Sequence, residues 1–254
     1  MLLCAAGAAS ADEPTICADR PGKATATCTV PADHWQFETG LADWSLQKTG
    51  GERDTSLAIG ETTIKLGLTD SSNLEVDVTP WQKATSRVGG AHESANGFGD
   101  VDVLYKRRLT AADAPLQISA LPFVKIPTAN HSLGNGEWEG GLLIPIGYAI
   151  PKTPLSLGFT PEIDWVADAD RHGNHAAMTQ VASLGWQATS KLNLSAELWG
   201  QWDWDPAGTV RQYSADASIA YLANKRVQLD AGANFGLNRN TPDVELYAGL
   251  AKLF

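Results

Sequence analysis

Apolar and polar residues alternate along most of this chain. Leu155, Leu157, Phe159, Pro161, Ile163 and Trp165 alternate with Ser156, Gly158, Thr160, Glu162 and Asp164. Val227, Leu229, Ala231, Ala233, Phe235 and Leu237 alternate with Gln228, Asp230, Gly232, Asn234 and Gly236. At the C-terminus Val244, Leu246, Ala248, Leu250 and Phe254 share one face, and Glu245, Tyr247, Gly249 and Ala251 share the other. A period of two marks a strand with two different faces. About twelve strand segments are predicted from His34 onward, at about 34–46, 56–68, 72–82, 98–109, 116–126, 137–149, 154–166, 176–188, 191–203, 211–223, 226–238 and 243–254. The second changes phase near Gly60, which predicts a bulge.

The connections alternate as well. Those near residues 69–71, 110–115, 150–153, 189–190 and 224–225 are short. Those near 48–55, 83–97, 127–136, 167–175 and 204–210 are mostly longer, and richer in glycine and charge. Short turns at one end and long loops at the other predict a transmembrane antiparallel up-and-down β-barrel, an all-β fold. Aromatic residues fall near both ends. Trp44, Trp81, Phe98, Trp138, Trp165, Trp202, Trp204, Tyr213 and Phe235 lie toward the long loops; Trp35, Phe37, Tyr148, Trp186, Tyr221 and Phe254 lie toward the short turns. Two girdles suit a barrel with two lipid interfaces. A soluble β-sandwich also alternates, but has no reason to sort its turns by length.

Composition sharpens this picture. No apolar run approaches the roughly 18 residues of a transmembrane helix. The net charge of −10 over 254 residues argues against nucleic acid as a partner. Residues 1–11 resemble the end of a secretory signal, with Ala9-Ser10-Ala11 as a small-x-small cleavage site, although the basic segment that opens such signals is missing. Residues 12–33 are expected as a periplasmic extension, and 34–254 as the barrel. Cys17 and Cys28 are expected to pair in an oxidising periplasm; the alternative is a flexible segment with two free thiols. Location in a Gram-negative outer membrane follows, with the long loops extracellular and both barrel ends periplasmic. Outer-membrane lipids and small solutes are then the partners. Terminal Phe254 is expected to engage the barrel-assembly machinery, while Lys252 departs from the apolar pattern of closing strands and is expected to snorkel toward headgroups.

Three stretches carry a family resemblance. Gly97-Phe98-Gly99-Asp100-Val101-Asp102-Val103-Leu104-Tyr105-Lys106-Arg107-Arg108-Leu109 resembles a Gly-x-Gly-Asp strand with a basic end. Leu121-Pro122-Phe123-Val124-Lys125-Ile126-Pro127-Thr128 resembles a mid-barrel strand running into a loop. Residues 229–238, with Asp243 and Gly249-Leu250, resemble a last hairpin. All three are similar to the family named for the meta-pathway of phenol degradation, outer-membrane transporters or channels. The resemblance implies a barrel, a transport role and aromatic or hydrophobic solutes. It brings no binding residues with it.

Alternation places Glu38, Glu75, Asp77, Asp100, Asp102, Lys106, Arg108, Lys125, Glu139, Glu162, Asp164, Glu197, Asp216, Asp230 and Glu245 on the lumen face. They either set the charge selectivity of a pore or form a network that fills the barrel. His92 and Ser94 resemble the His-x-Ser-Asn-Gly strand of outer-membrane phospholipases, but an extra Ala95 breaks the spacing to Asn96. Asp168, Asp170, His172 and His175 share one outer loop and are suitable metal ligands; a solvated loop is the competing reading. No metal, cofactor or catalytic residue is expected. The resulting function is a passive channel for small solutes, with a phospholipase-like hydrolase and a structural barrel with a plugged lumen as alternatives.

Overall fold

The computed structural model describes residues 14–254. The signal-like residues 1–11 lie outside the described residues. The alternating segments form β1 (Trp35–Thr49), β2 (Glu52–Ile59), β3 (Glu61–Thr69), β4 (Ser72–Val78), β5 (Trp81–Val88), β6 (Ala91–Gly97), β7 (Val101–Arg108), β8 (Leu116–Ile126), β9 (Glu139–Leu143), β10 (Ile146–Ala149), β11 (Leu155–Ala167), β12 (Asn174–Gln187), β13 (Leu192–Asp203), β14 (Val210–Asn224), β15 (Val227–Gly236) and β16 (Val244–Leu253). Neighbours pair antiparallel, and β16 pairs back onto β1 from Gln36↔Leu253 to Leu46↔Val244. This closure makes a barrel. The β2/β3, β4/β5, β6/β7 and β9/β10 pairs each form one broken stave, so the sixteen strands build twelve staves.

The breaks have local causes. Gly60 takes φ 76°, open to glycine, and its N–H donates to Gly40 O at 2.9 Å where β1 leaves β3 for β2. Pro80 and Pro145 interrupt two other staves, because proline cannot donate to the ladder.

Two expected loops are strands instead. Residues 48–55 and 83–97 continue the wall as the hairpins β1–β2 and β5–β6. Their turns are Gly50-Gly51 (φ 60° and 90°) and Gly89-Gly90 (φ 55° and 90°). Two consecutive positive φ values give the tight turn whose twist suits a hairpin. These segments are polar on both faces, so period two left no hydrophobic trace.

The two faces of the wall are inverted relative to a soluble protein. Gln36, Glu38, Lys65, Asn73, Glu75 and Lys106 are almost fully buried, whereas Leu198 is 61% exposed and Leu229 is 48% exposed. Outward apolar and inward polar is the arrangement a lipid-facing barrel requires. Trp35, Tyr148, Trp186, Tyr221 and Phe254 are exposed at the short-turn end, and Phe98, Trp138, Trp165, Trp204 and Phe235 toward the other. Lys252 stays outside, its ammonium 4.3 Å from the Phe254 ring centre. No described helix is long and apolar enough to cross a membrane.

The described part of the N-terminal extension does not hang below the barrel. Residues 14–33 fold into the lumen near the short-turn end, and Cys17 and Cys28 are joined by a disulfide.

Candidate functional site

The site is the lumen, and its floor is this N-terminal plug. The plug sequence has no apolar periodicity of its own, so its position is set by polar contacts with the wall. Cys17 N–H donates to Gln36 Oε1 (2.9 Å), and the Gln36 amide donates back to Cys17 O (2.6 Å). Asp19 lies between two wall lysines. It pairs with Lys65 and with Lys106 (2.8 Å), while Lys65 also pairs with Glu38 and lies 3.9 Å from Glu75. Burial pushes the Asp19 carboxyl up, but the charges of Lys106 and Lys65 prevail and hold it at about 2. Lysines buried in a wall need such partners, because an unpaired buried charge is very costly.

The opposite wall is held by cations of the plug. Arg20 donates to Asp230 from Nε (3.2 Å) and Nη2 (3.0 Å). Gly249 is what lets the guanidinium approach, since a Cβ there would lie 2.6 Å from Arg20 Nε. Lys23 N–H donates to Glu197 (2.7 Å), and its ammonium reaches Ser214 Oγ (3.1 Å), Asp216 (3.6 Å) and the face of Trp199 (4.4 Å). Ser119 donates to Thr27 O (2.6 Å), and Val30 N–H donates to Asn73 (3.1 Å). The plug is therefore tied to β1, β3, β4, β7, β8, β13, β14 and β15.

The alternation-predicted residues divide into three groups. Glu38, Lys106, Glu197, Asp216 and Asp230 hold the plug, with Glu75 among them 3.5 Å from Lys106. Arg108 lies at the short-turn rim, where it donates to Asp70 O (2.7 Å) and Thr110 O (3.3 Å). Asp77, Asp102, Lys125, Glu139, Glu162, Asp164 and Glu245 lie on the wall away from those anchors. There Lys125 pairs with Glu139 (2.6 Å) and lies 3.6 Å from Asp100.

Space remains around the plug. One cavity of about 320 Å³ is lined by Arg20, Glu38, Glu61, Asp77, Asp100 and Asp102. Another of about 270 Å³ is lined by Lys23, Trp199, Gln201, Asn234 and Glu245. At the short-turn side a cavity of about 430 Å³ includes Arg20, Pro21, Ser156, Ser183 and Glu197. At the long-loop side about 490 Å³ opens between Ser45, Asp54, Ser56, Ser86 and Glu93. One buried carboxylate oxygen each of Asp77 and Asp164 (Oδ1) has no hydrogen-bond partner among the described residues. Trp199 faces inward against Lys23, away from the interfacial positions where the sequence pattern predicts aromatics.

His92 and Ser94 lie on exposed β6, with Ser94 and Glu93 both lining the long-loop cavity, and no hydrogen bond joins His92 to Ser94 among the described residues. Asp170 and His172 are exposed in their loop. Asp168 and His175 do meet, but their companions are Asp203, at the end of β13, and Asp205, in the loop after it, which sequence spacing does not indicate.

The chain is similar in fold to the COG4313 outer membrane channel from Pseudomonas putida F1 (TM-score 0.70, 15% identity, covering 92% of this chain and 99% of that one). Lesser likenesses are OmpT of Vibrio cholerae lacking loop L8 (TM-score 0.47, 7% identity, 87% and 98% covered) and an anion-selective porin from Comamonas acidovorans (TM-score 0.43, 9% identity, 87% and 98% covered). No curated protein matches the sequence. The family described as "Putative MetA-pathway of phenol degradation" matches residues 18–253, and the chain, a transmembrane β-barrel, belongs to that family.

Proposed function

We propose that the protein is a passive outer-membrane channel for small solutes, narrowed by its own N-terminal segment. The observation that carries this reading is the set of polar cavities left beside a tethered plug, the one at Asp77, Asp100 and Asp102 rich in carboxylates. The family description implies aromatic compounds as cargo. The wall adds a charge filter: Asp77, Asp102, Glu162 and Asp164 take no hydrogen bond from the plug among the described residues, and Lys125, paired with Glu139 and 3.6 Å from Asp100, is the lysine on that part of the wall. Low-dielectric walls focus that field and raise the local concentration of cations.

The orientation we infer puts the long loops outside the cell, with the plug and both barrel ends on the periplasmic side. Engagement of the assembly machinery by the C-terminal strand is part of this reading, and the exposure of Phe254 beside the closing seam supports it. The hydrolase alternative is disfavoured because His92 and Ser94 are exposed on β6 and no hydrogen bond joins them among the described residues.

Reversal potentials in planar bilayers under a salt gradient test the filter. The wild type should prefer cations weakly and lose that preference near 1 M salt, where screening shortens to about 3 Å. Replacing Asp102, Glu162 and Asp164 together by their amides should diminish the preference. Anion preference in the wild type, or no change in the triple variant, contradicts this reading.

A further inference from the structure

His175 opens β12 on the inward face at the long-loop end, and its ring is almost buried. Three carboxylates converge on it. Nδ1 lies 2.8 Å from Asp168 Oδ1 and 3.8 Å from Asp205 Oδ2, and Nε2 lies 2.6 Å from Asp203 Oδ1. No lysine or arginine pairs with any of these carboxylates among the described residues. Three negative charges therefore meet one imidazole, which brings at most one positive charge; a divalent cation in place of its proton would lower the excess from two negative charges to one.

We propose that Asp168, His175 and Asp205 form a binding site for a divalent first-row transition ion such as Zn2+. One ligand atom from each residue lies within 4.8 Å of the others. Coordination bonds of about 2.0–2.2 Å place ligand atoms roughly 3–4 Å apart, so small side-chain movements close the set. The ion takes the place of the proton that otherwise bridges Nδ1 and Asp168, and that proton leaves to solvent. Asp203 has a separate role. It accepts Nε2–H, which fixes the tautomer with the Nδ1 lone pair aimed at Asp168 and Asp205. An imidazole held by a carboxylate in this way is the usual second layer of a metal site.

The frame is built in advance. Asp205 Oδ2 accepts Ala169 N–H (2.8 Å) and Oδ1 accepts Ala207 N–H (2.6 Å), which fixes its carboxylate and ties the two loops together. These donors also hold the Asp205 carboxyl below its usual range. Gly173 leaves room for Asp168, because a Cβ there would collide with its carboxylate. One imidazole with carboxylates suits zinc and its neighbours better than calcium, which favours oxygen alone.

Isothermal titration of the full chain in detergent with Zn2+, beside Ca2+, tests the site. The wild type should take up one Zn2+ per chain saturably and bind Ca2+ more weakly. His175→Ala should lose that site, Asp203→Asn should weaken it about 10–100-fold, and His172→Ala in the same loop should leave it unchanged. Asp168→Asn keeps the side-chain shape and should also lose binding, which covers the case of a misfolded His175→Ala barrel. Absence of saturable Zn2+ uptake, or uptake that survives both His175→Ala and Asp168→Asn in folded barrels, overturns the proposal.

Discussion

At the scale of the residue, Asp19 shows how the plug is held by charge rather than by apolar packing. Its carboxyl sits at about 2, below the ordinary 3.8, because Lys106 and Lys65 outweigh the cost of burial. The sign follows from that direction. A carboxyl depressed in the folded state contributes stability that is complete above its ordinary value and is lost as pH falls through about 2. Plug docking should therefore hold at pH 5 and weaken between about pH 4 and 2. Asp19→Asn should free the plug at neutral pH, since removing one partner from a buried charge network costs about 3 kcal/mol or more. Hydrogen exchange of residues 14–33 at pH 7 should accelerate roughly 100-fold in that variant, the factor such an energy implies. Unchanged protection would mean that the lysines are held without Asp19. Alternation marked Lys106 as inward, but nothing in the sequence pointed to Asp19 as its partner, because the plug has no period to read.

At the scale of the element, the strands were legible wherever one face is apolar. β11, β13, β15 and β16 lie within a few residues of their predicted bounds, because lipid outside and water inside impose opposite chemistry on successive side chains. The same logic fails for β2, β5 and β6, whose faces are both polar and whose glycine-glycine turns look like loop. The lumen residues were legible as a face but not by role. Glu197 and Glu162 look alike in sequence; only the plug separates them, since Lys23 N–H occupies Glu197 and no plug residue bonds Glu162. The plug itself is stiffened by Cys17–Cys28 across 11 positions, a closure worth about 3 kcal/mol in the chain-entropy account. Connection length also predicts orientation. Single cysteines at Asn130 and Gly173, in the loops after β8 and β11, should react with an impermeant reagent on intact cells, whereas those at Ser71 and Asn224 should not. The reverse pattern would invert the barrel.

At the scale of the whole molecule, the barrel and the plug set each other's properties. Twelve staves enclose more space than their own inward side chains fill, and the N-terminal segment takes up part of the remainder. Its Arg20 and Lys23 pair with Asp230 and Asp216 on one wall, while Asp19 joins Glu38 and Glu75 in neutralising Lys65 and Lys106 on the other. The wall beyond these anchors stays acidic. Conductance should thus be small while the plug is docked, and larger, with the same cation preference, once its anchors are cut. The direct test is single-channel recording in planar bilayers of the wild type beside a variant carrying Asp19→Asn and Arg20→Gln. The account predicts a small cation-preferring conductance in the wild type and a several-fold larger one in the double variant. No conductance in either protein, or the same conductance in both, would contradict it.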